Sequence, residues 1–222
     1  MTLQKCESLS LLWLKGTPVQ RARVHGELIG HELSYDSLEL FYSLGLRDFR
    51  KGSLRYKVSN QILNLMAYWA QRSAPQLFSE EVKAFAKAAG LSVFKIKRAL
   101  MLPDLAAYST ASKAFPLQGC TSAAVLTDSG YYLQGRNLDF AGSPAYDGHP
   151  LLVIHWPEKG SRELKHVTIG TEGLQFSGIS GFNEAGMTFA VHQNYTNFRR
   201  LYGVPMPYVG ELVLRSARNI DE

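Results

Sequence analysis

The chain has 222 residues, 45% of them hydrophobic and 19% charged, with a formal net charge of +5. This is the composition of a globular chain, long enough for one sizeable core or for a small helical unit attached to a sheet-bearing one. The basic residues are scattered apart from a cluster at Lys95, Lys97 and Arg98, so the charge does not compel a polyanionic partner, and the two distant cysteines, Cys6 and Cys120, suggest neither a disulfide framework nor a structural zinc site.

The first residues, "MTLQKCESLSLLWLKG", carry an apolar patch too short to cross a bilayer and lack a small-residue cleavage site, and no later segment approaches ~20 apolar residues. No membrane span is expected. The absence of a signal peptide points to the cytoplasm, or to a secreted or periplasmic protein if a leader has been trimmed. Up to about residue 114 the apolar spacing is helical. A helix opens at Thr17 with Pro18 in its first position, and Gly26 and Gly30, one turn apart, point to close backbone packing. Leu54, Val58, Ile62, Leu65, Met66 and Trp69 recur at three- and four-residue steps, which predicts a helix packed by that stripe, with Met66 and Trp69 in the core. A Ser79 cap predicts a helix with acidic residues in its first turn and a stop at Gly90. Two further helical stretches flank Pro103.

After residue 119 the period changes to that of strands. "TSAAVLT" and "YYLQGRNLDF" flank Asp128-Ser129-Gly130 and predict a β-hairpin. "LLVIHW" and "HVTIGT" read as strands, and two more surround a turn at Asn183-Glu184-Ala185-Gly186. "MPYVGELVLRSARNIDE" is amphipathic and helical; it reaches the last residue without a stop signal, as though the chain ended inside a domain.

Cys120 is the residue with chemistry to offer. A lone cysteine is usually a small buried hydrophobe. Against that stands Gly119, which leaves the preceding carbonyl open to approach, and across the hairpin stand Arg136 and Asp139. The cation favours a thiolate and the carboxylate is suited to orient an amine. A two-residue turn pairs Cys120 with Asp139; a three-residue turn pairs it with Leu138 and puts Arg136 on the thiol's face. Arg136 and Asp139 are an odd number of residues apart, so aiming both at the thiol requires a bulge or the strand's end near Asn137.

Gly119-Cys120-Thr121-Ser122, followed by Gly135-Arg136-Asn137-Leu138-Asp139-Phe140, resembles the autoprocessing junction and first hairpin of N-terminal-nucleophile cysteine amidohydrolases. The spacing from Cys to Arg and Asp is similar to that of the acid ceramidase and N-acylethanolamine acid amidase group and of the choloylglycine hydrolases. "GTPVQRARVHGELIG" and "SGFNEAGMTFAVHQN" resemble the penicillin acyltransferase type, so the resemblance covers most of the chain, least clearly through the middle helices. It implies an α/β fold, the four-layered αββα sandwich of N-terminal-nucleophile hydrolases, incomplete at the C-terminus and preceded by a helical segment. Residues 1–119 would be a helical prosegment that becomes the small subunit, and 120–222 the N-terminal part of the catalytic domain.

The implied activity is hydrolysis or transacylation of linear N-acyl amides through a Cys120 thioester, after cleavage between Gly119 and Cys120. Arg136 would stabilise charge and Asp139 would hold the freed amine. Gln193 and Asn194 resemble the place where the family supplies an oxyanion donor. No cofactor or metal is implied; the partner is a small-molecule N-acyl amide, and the two subunits stay associated as a heterodimer. His192 is read as a hydrogen-bonded edge residue rather than a base. His25 and His31 lie on different faces of one helix and make no metal set. Asn194-Tyr195-Thr196 matches a glycosylation sequon, meaningful only after secretion. The rival readings are an unprocessed inactive homologue or fragment, and a basic helical nucleic-acid-binding module built on "GLSVFKIKRALMLPDL".

Overall fold

The chain opens on strands where a helical first half was expected. The computed structural model, which describes residues 1–108, 119–139, 142–176, 178–192 and 203–222, begins with an antiparallel hairpin of β1 (Thr2–Cys6) and β2 (Leu9–Gly16). In β2, Ser10, Leu12 and Leu14 are buried in alternation. Leu9, Leu11 and Trp13 on the opposite face are apolar too, so the two-residue period is hidden in the sequence.

α1 (Pro18–Ser43) starts with a reciprocal cap: the Gln20 amide donates to Thr17 Oγ1 at 3.3 Å, and the Thr17 amide to Gln20 Oε1 at 3.0 Å. Gly26 is where α1 touches α3, since a Cβ there would lie 2.5 Å from the Phe85 carbonyl oxygen. Gly30 serves a different purpose from the packing expected of it: at φ +71° it breaks the helix into two, and its Cβ position is open. A 3-10 turn at Leu44–Leu46 leads to α2 (Leu54–Gln71), capped by Ser53. Of the expected core stripe of α2, Leu54, Val58, Ile62, Leu65 and Trp69 face outward, whereas Met66 is half-buried against the core, as expected.

α3 (Gln76–Ala89) begins three residues earlier than its expected Ser79 cap, after Pro75. Ser79 lies inside the helix and accepts from Lys97 Nζ at 2.6 Å; Gly90 ends the helix in the left-handed conformation, as expected. α4 (Val93–Leu100) and α5 (Leu102–Tyr108) follow. The basic cluster of α4 turns to partners within the fold. Lys95 pairs with Glu39, and Arg98 is buried against Asn60 Oδ1 (2.5 Å), Asn64 Oδ1 (2.7 Å) and the Tyr42 carbonyl (3.1 Å).

β3 (Gly119–Leu126) and β4 (Tyr132–Asp139) form the expected hairpin as a separate two-stranded sheet. Beyond α6 (Ser143–Gly148) come β5 (Pro150–Pro157), β6 (His166–Thr171), β7 (Ser180–Asn183), β8 (Thr188–Ala190) and α7 (Met206–Ser216). The larger sheet runs β1-β2-β5-β6-β7-β8, with β2 and β5 parallel and the other neighbours antiparallel. Asn183 makes the β7–β8 turn as expected, its Oδ1 accepting from the Ala185 and Met187 amides, both at 3.1 Å. The fold is therefore mixed α/β, and residues 1–119 supply two strands of the larger sheet as well as helices.

One hydrophobic cluster joins the helical part to α7, and a second packs α1 on β2 and β5. Phe78 of α3 stacks on Tyr208 of α7 (centroids 4.9 Å apart), with Phe176 edge-on to both. Beneath them Arg215 donates from Nη1 and Nη2 to the two oxygens of Glu81 (2.7 and 2.9 Å) and from Nε to Glu211 (3.0 Å), a buried network of α3 and α7. Among the described residues, no helix is long and apolar enough to cross a membrane.

Candidate active site

The hairpin loop fixes the register around Cys120. The Thr127 amide donates to the Tyr131 carbonyl, closing a three-residue turn over Asp128, Ser129 and Gly130, with Gly130 at φ +82°. This pairs Cys120 with Leu138 and Ser122 with Arg136. Directly opposed residues share a face, as do residues two apart, so Cys120, Leu138 and Arg136 all point one way. Arg136 Nη2 donates to Cys120 Sγ at 3.3 Å.

The guanidinium is held at both ends. Nη2 also donates to the Val191 carbonyl (2.5 Å), while Nη1 reaches the Ile179 carbonyl (3.3 Å) and Ser180 Oγ (3.4 Å). These partners flank β7 and β8, so Arg136 ties the small hairpin to the larger sheet and aims its charge at the sulfur.

Asp139 is placed differently from expectation. The ladder is regular from Gly119–Asp139 to Leu126–Tyr132, with no bulge at Asn137, and β4 continues to Asp139. Arg136 alone of the two shares the thiol's face. The turn supplied that register without distortion, so the bulge is unnecessary. Asp139 instead stands opposite Gly119, level with the residue before the nucleophile. It borders the same cavity as Cys120.

That cavity, about 80 Å³, is lined almost wholly by apolar groups, among them Phe41, Leu100, Tyr146, Phe176, Ile179 and Met206. Cys120, Arg136 and Asp139 supply its polar side. Burial pushes the Tyr146 phenol well above its ordinary value, with Arg136 working against the rise, so this hydroxyl stays neutral.

A second polar pair emerges that the sequence reading set aside. His192 Nδ1 donates to the Cys120 carbonyl at 3.1 Å, leaving Nε2 to accept from the Ser122 hydroxyl. His192 is thus a hydrogen-bonded edge residue, as expected, but its partner is the main chain of the candidate nucleophile. Only the tertiary fold could have shown this, since the two are 72 positions apart. Gln193 and Asn194, with the sequon they begin, lie outside the described residues.

Away from this site, His155, His166 and Glu211 bring their ligand atoms within 4.8 Å of one another in the core. The two rings are stacked face to face, centroids 4.3 Å apart and planes 8° apart. An imidazole ligates in its own plane, so one ion cannot lie in both parallel planes. The trio is better described as part of the buried charge network. Burial pushes Glu211 up, but Arg215 and His166 more than offset this and hold it well below the usual carboxylate range. Burial, with His166 adding to it, drives His155 well below the usual histidine value.

No protein-family model matches the chain. It is similar to Protein dcd1A of Dictyostelium discoideum, with 23% identity over 234 aligned residues, covering 96% of this chain and 51% of that protein. The chain spans about half the length of this curated relative. At that coverage the alignment takes in both the helical part and the Cys120 hairpin.

Proposed function

We propose that the chain is a self-processing cysteine amidohydrolase or acyltransferase of the N-terminal-nucleophile class, similar to the penicillin acyltransferase type. Its larger sheet, small hairpin and flanking helices would be part of an αββα sandwich. The observation that carries this reading is the 3.3 Å contact from Arg136 Nη2 to Cys120 Sγ beside an apolar cavity. A structural thiol has no need of a guanidinium, whereas a sulfur nucleophile gains from a cation that stabilises its negative charge.

In the processing step, Cys120 Sγ attacks the Gly119 carbonyl carbon. A C–S bond forms, the Gly119–Cys120 C–N bond breaks, and the thiol's proton ends on the departing nitrogen. Water then opens the thioester, giving a Gly119 carboxylate and restoring the thiol. Asp139, opposite Gly119 in the ladder, sits level with this peptide and is suited to hold the new α-amine. An α-amine with a reference pKa of about 7.7–8.0 is a competent base near neutral pH for a thiol of about 8.5. His192, bonded to the Cys120 carbonyl, would fix that residue's peptide plane throughout. In turnover the same thiol attacks a substrate amide, expels the amine, and passes the acyl group to water or another acceptor. The cavity suits an apolar acyl group, and Gln193 and Asn194 remain the proposed oxyanion donors.

Intact mass spectrometry under reducing conditions, across pH, tests this directly. The wild-type chain is expected to split between Gly119 and Cys120 and then to hydrolyse N-acyl amides, while Cys120→Ala stays whole and inert. A Cys120→Ala protein that is cut and active, or a wild-type protein that stays whole and inert at every pH, would overturn the reading.

A further inference from the structure

α2 is apolar on two faces: Leu63, Met66, Ala67 and Ala70 pack against the core, and a second apolar stripe points away from it. Leu54, Val58, Ile62, Leu65 and Trp69, at steps of four, four, three and four, form one outward stripe and are 78%, 49%, 53%, 58% and 47% exposed. The face turned to the protein carries Asn60 and Asn64, whose amide oxygens accept from buried Arg98. A helix whose outer face meets only water carries polar side chains there. The inward asparagines are fixed by Arg98, so the helix cannot roll its apolar stripe into the core without stranding a buried cation.

The surroundings of the stripe specify what it meets. From Phe49 to Ser79 the sequence has no Asp or Glu, while Arg50, Lys51, Arg55, Lys57 and Arg72 are all exposed. Tyr68 and Trp69 lie at one end of the helix, with the Arg72 guanidinium 5.0 Å from the Trp69 ring. Next to them a groove is lined by Arg72, Lys97, Tyr68 and Phe94. An apolar stripe rimmed by cations, with an aromatic pair at its end, matches the chemistry of a bilayer interface: acyl chains below, anionic headgroups around, amphipathic rings at the boundary. We infer that α2 docks this protein on an anionic lipid surface, lying in the interface with Leu54, Val58, Ile62, Leu65 and Trp69 inserted and the rim of Arg and Lys on the headgroups. A lysine or arginine rim suits a lipid phosphate better than a second copy of the same positive face, which it would repel. This inference is independent of any chemistry at Cys120.

The test is co-sedimentation of the full natural polypeptide with phosphatidylcholine vesicles, with and without about a third phosphatidylserine, at low and high salt. Binding is expected on the anionic vesicles, weakening as salt rises. Arg55→Glu with Lys57→Glu should reduce it about 30-fold or more, at roughly fivefold for each cation lost. Ile62→Ser with Leu65→Ser should reduce it at least about tenfold. All four positions are exposed, so both variants should keep the wild-type circular dichroism. A blue shift of tryptophan emission on binding, diminished in Trp69→Phe, places the stripe in the lipid. Equal binding to neutral and anionic vesicles, binding that neither double variant weakens, or a stripe-dependent dimer in sedimentation velocity without vesicle binding would each overturn the inference. So would salt-sensitive DNA or RNA binding with no vesicle binding.

Discussion

Arg136 joins Cys120 to the Val191 carbonyl through a single nitrogen, Nη2, at 3.3 Å and 2.5 Å. The position of the charge beside the sulfur is thus set by the main chain at the end of β8. Arg136→Lys keeps the charge but replaces a planar fork with a point donor that cannot serve Cys120, Val191, Ile179 and Ser180 together. Both Arg136→Lys and Arg136→Ala should slow Gly119–Cys120 cleavage and amide turnover, the alanine variant by about 100-fold or more. Rates from intact mass and an N-acyl amide assay check this, with near-wild-type cleavage in the alanine variant as the contrary result.

Glu81 and Arg215 lie on opposite sides of the Gly119–Cys120 peptide in sequence and form a two-pronged buried pair in the fold. β2 and β5 are paired across the same boundary. A chain cut at that peptide should therefore stay in one piece, migrating as a single species in native size exclusion and as two bands only when denatured. Arg215→Ala strands Glu81 and Glu211 and should lower stability by about 3–5 kcal/mol. Urea denaturation of the uncut Cys120→Ala background measures the loss. Two fragments that separate without denaturant would contradict the expectation.

The strand half was largely legible because turn residues announce it: Asp128-Ser129-Gly130 and Asn183 to Gly186 set both hairpins, and Gly90 ended α3 as read. The Cys120–Arg136 contact was legible too, as one of two registers. The choice between them was not, since it depends on whether Thr127 and Tyr131 pair. β2 escaped because both its faces are apolar. The outward stripe of α2 escaped because the helix has two apolar faces and periodicity does not say which of them meets the core; the packing of Leu63, Met66 and Ala67 and the bonds to Arg98, more than 30 residues away in sequence, decide it. His192 could be judged an edge residue from local pattern alone, but its hold on Cys120 is tertiary.

Two buried groups should give stability opposing dependences on pH. Asp104, which accepts from the Met206 amide, is raised by burial from 3.8 to about 6. The folded state then holds a proton that the unfolded state releases, so this group lowers stability as pH rises from about 4 to 6. His25 is lowered by burial from 6.5 to about 4, so the unfolded state takes up a proton first and stability falls as pH drops from 6.5 towards 4. Asp104→Asn keeps an acceptor for Met206 and removes the first effect. The variant should gain stability over wild type at pH 7, on the order of 2–3 kcal/mol, and much less at pH 4. Urea midpoints at the two pH values decide; a gain that is the same at both would remove Asp104 from the account.

Gly26 and Gly30 stand one turn apart in α1 and should respond to alanine for different reasons. At Gly26 the new methyl would meet the Phe85 carbonyl oxygen at 2.5 Å and the Ala89 amide nitrogen at 3.0 Å, main-chain atoms that cannot step aside without parting α1 from α3. Overpacking of this kind costs about 1–3 kcal/mol, and here it acts on the helix pair that holds the Phe78–Tyr208 stack. At Gly30 the methyl meets open space, and the penalty comes from φ +71° with ψ −177°, a backbone region essentially reserved for glycine, about 1–3 kcal/mol. A helical φ at residue 30 would relieve that strain by straightening the kink. The two losses are therefore of similar size, but Gly30→Ala should gain helical signal as the kink straightens, whereas Gly26→Ala should gain none. Chemical denaturation and far-ultraviolet circular dichroism of the two variants separate the causes; a Gly30→Ala protein with unchanged helical signal would mean that the kink is held by its surroundings rather than by the glycine.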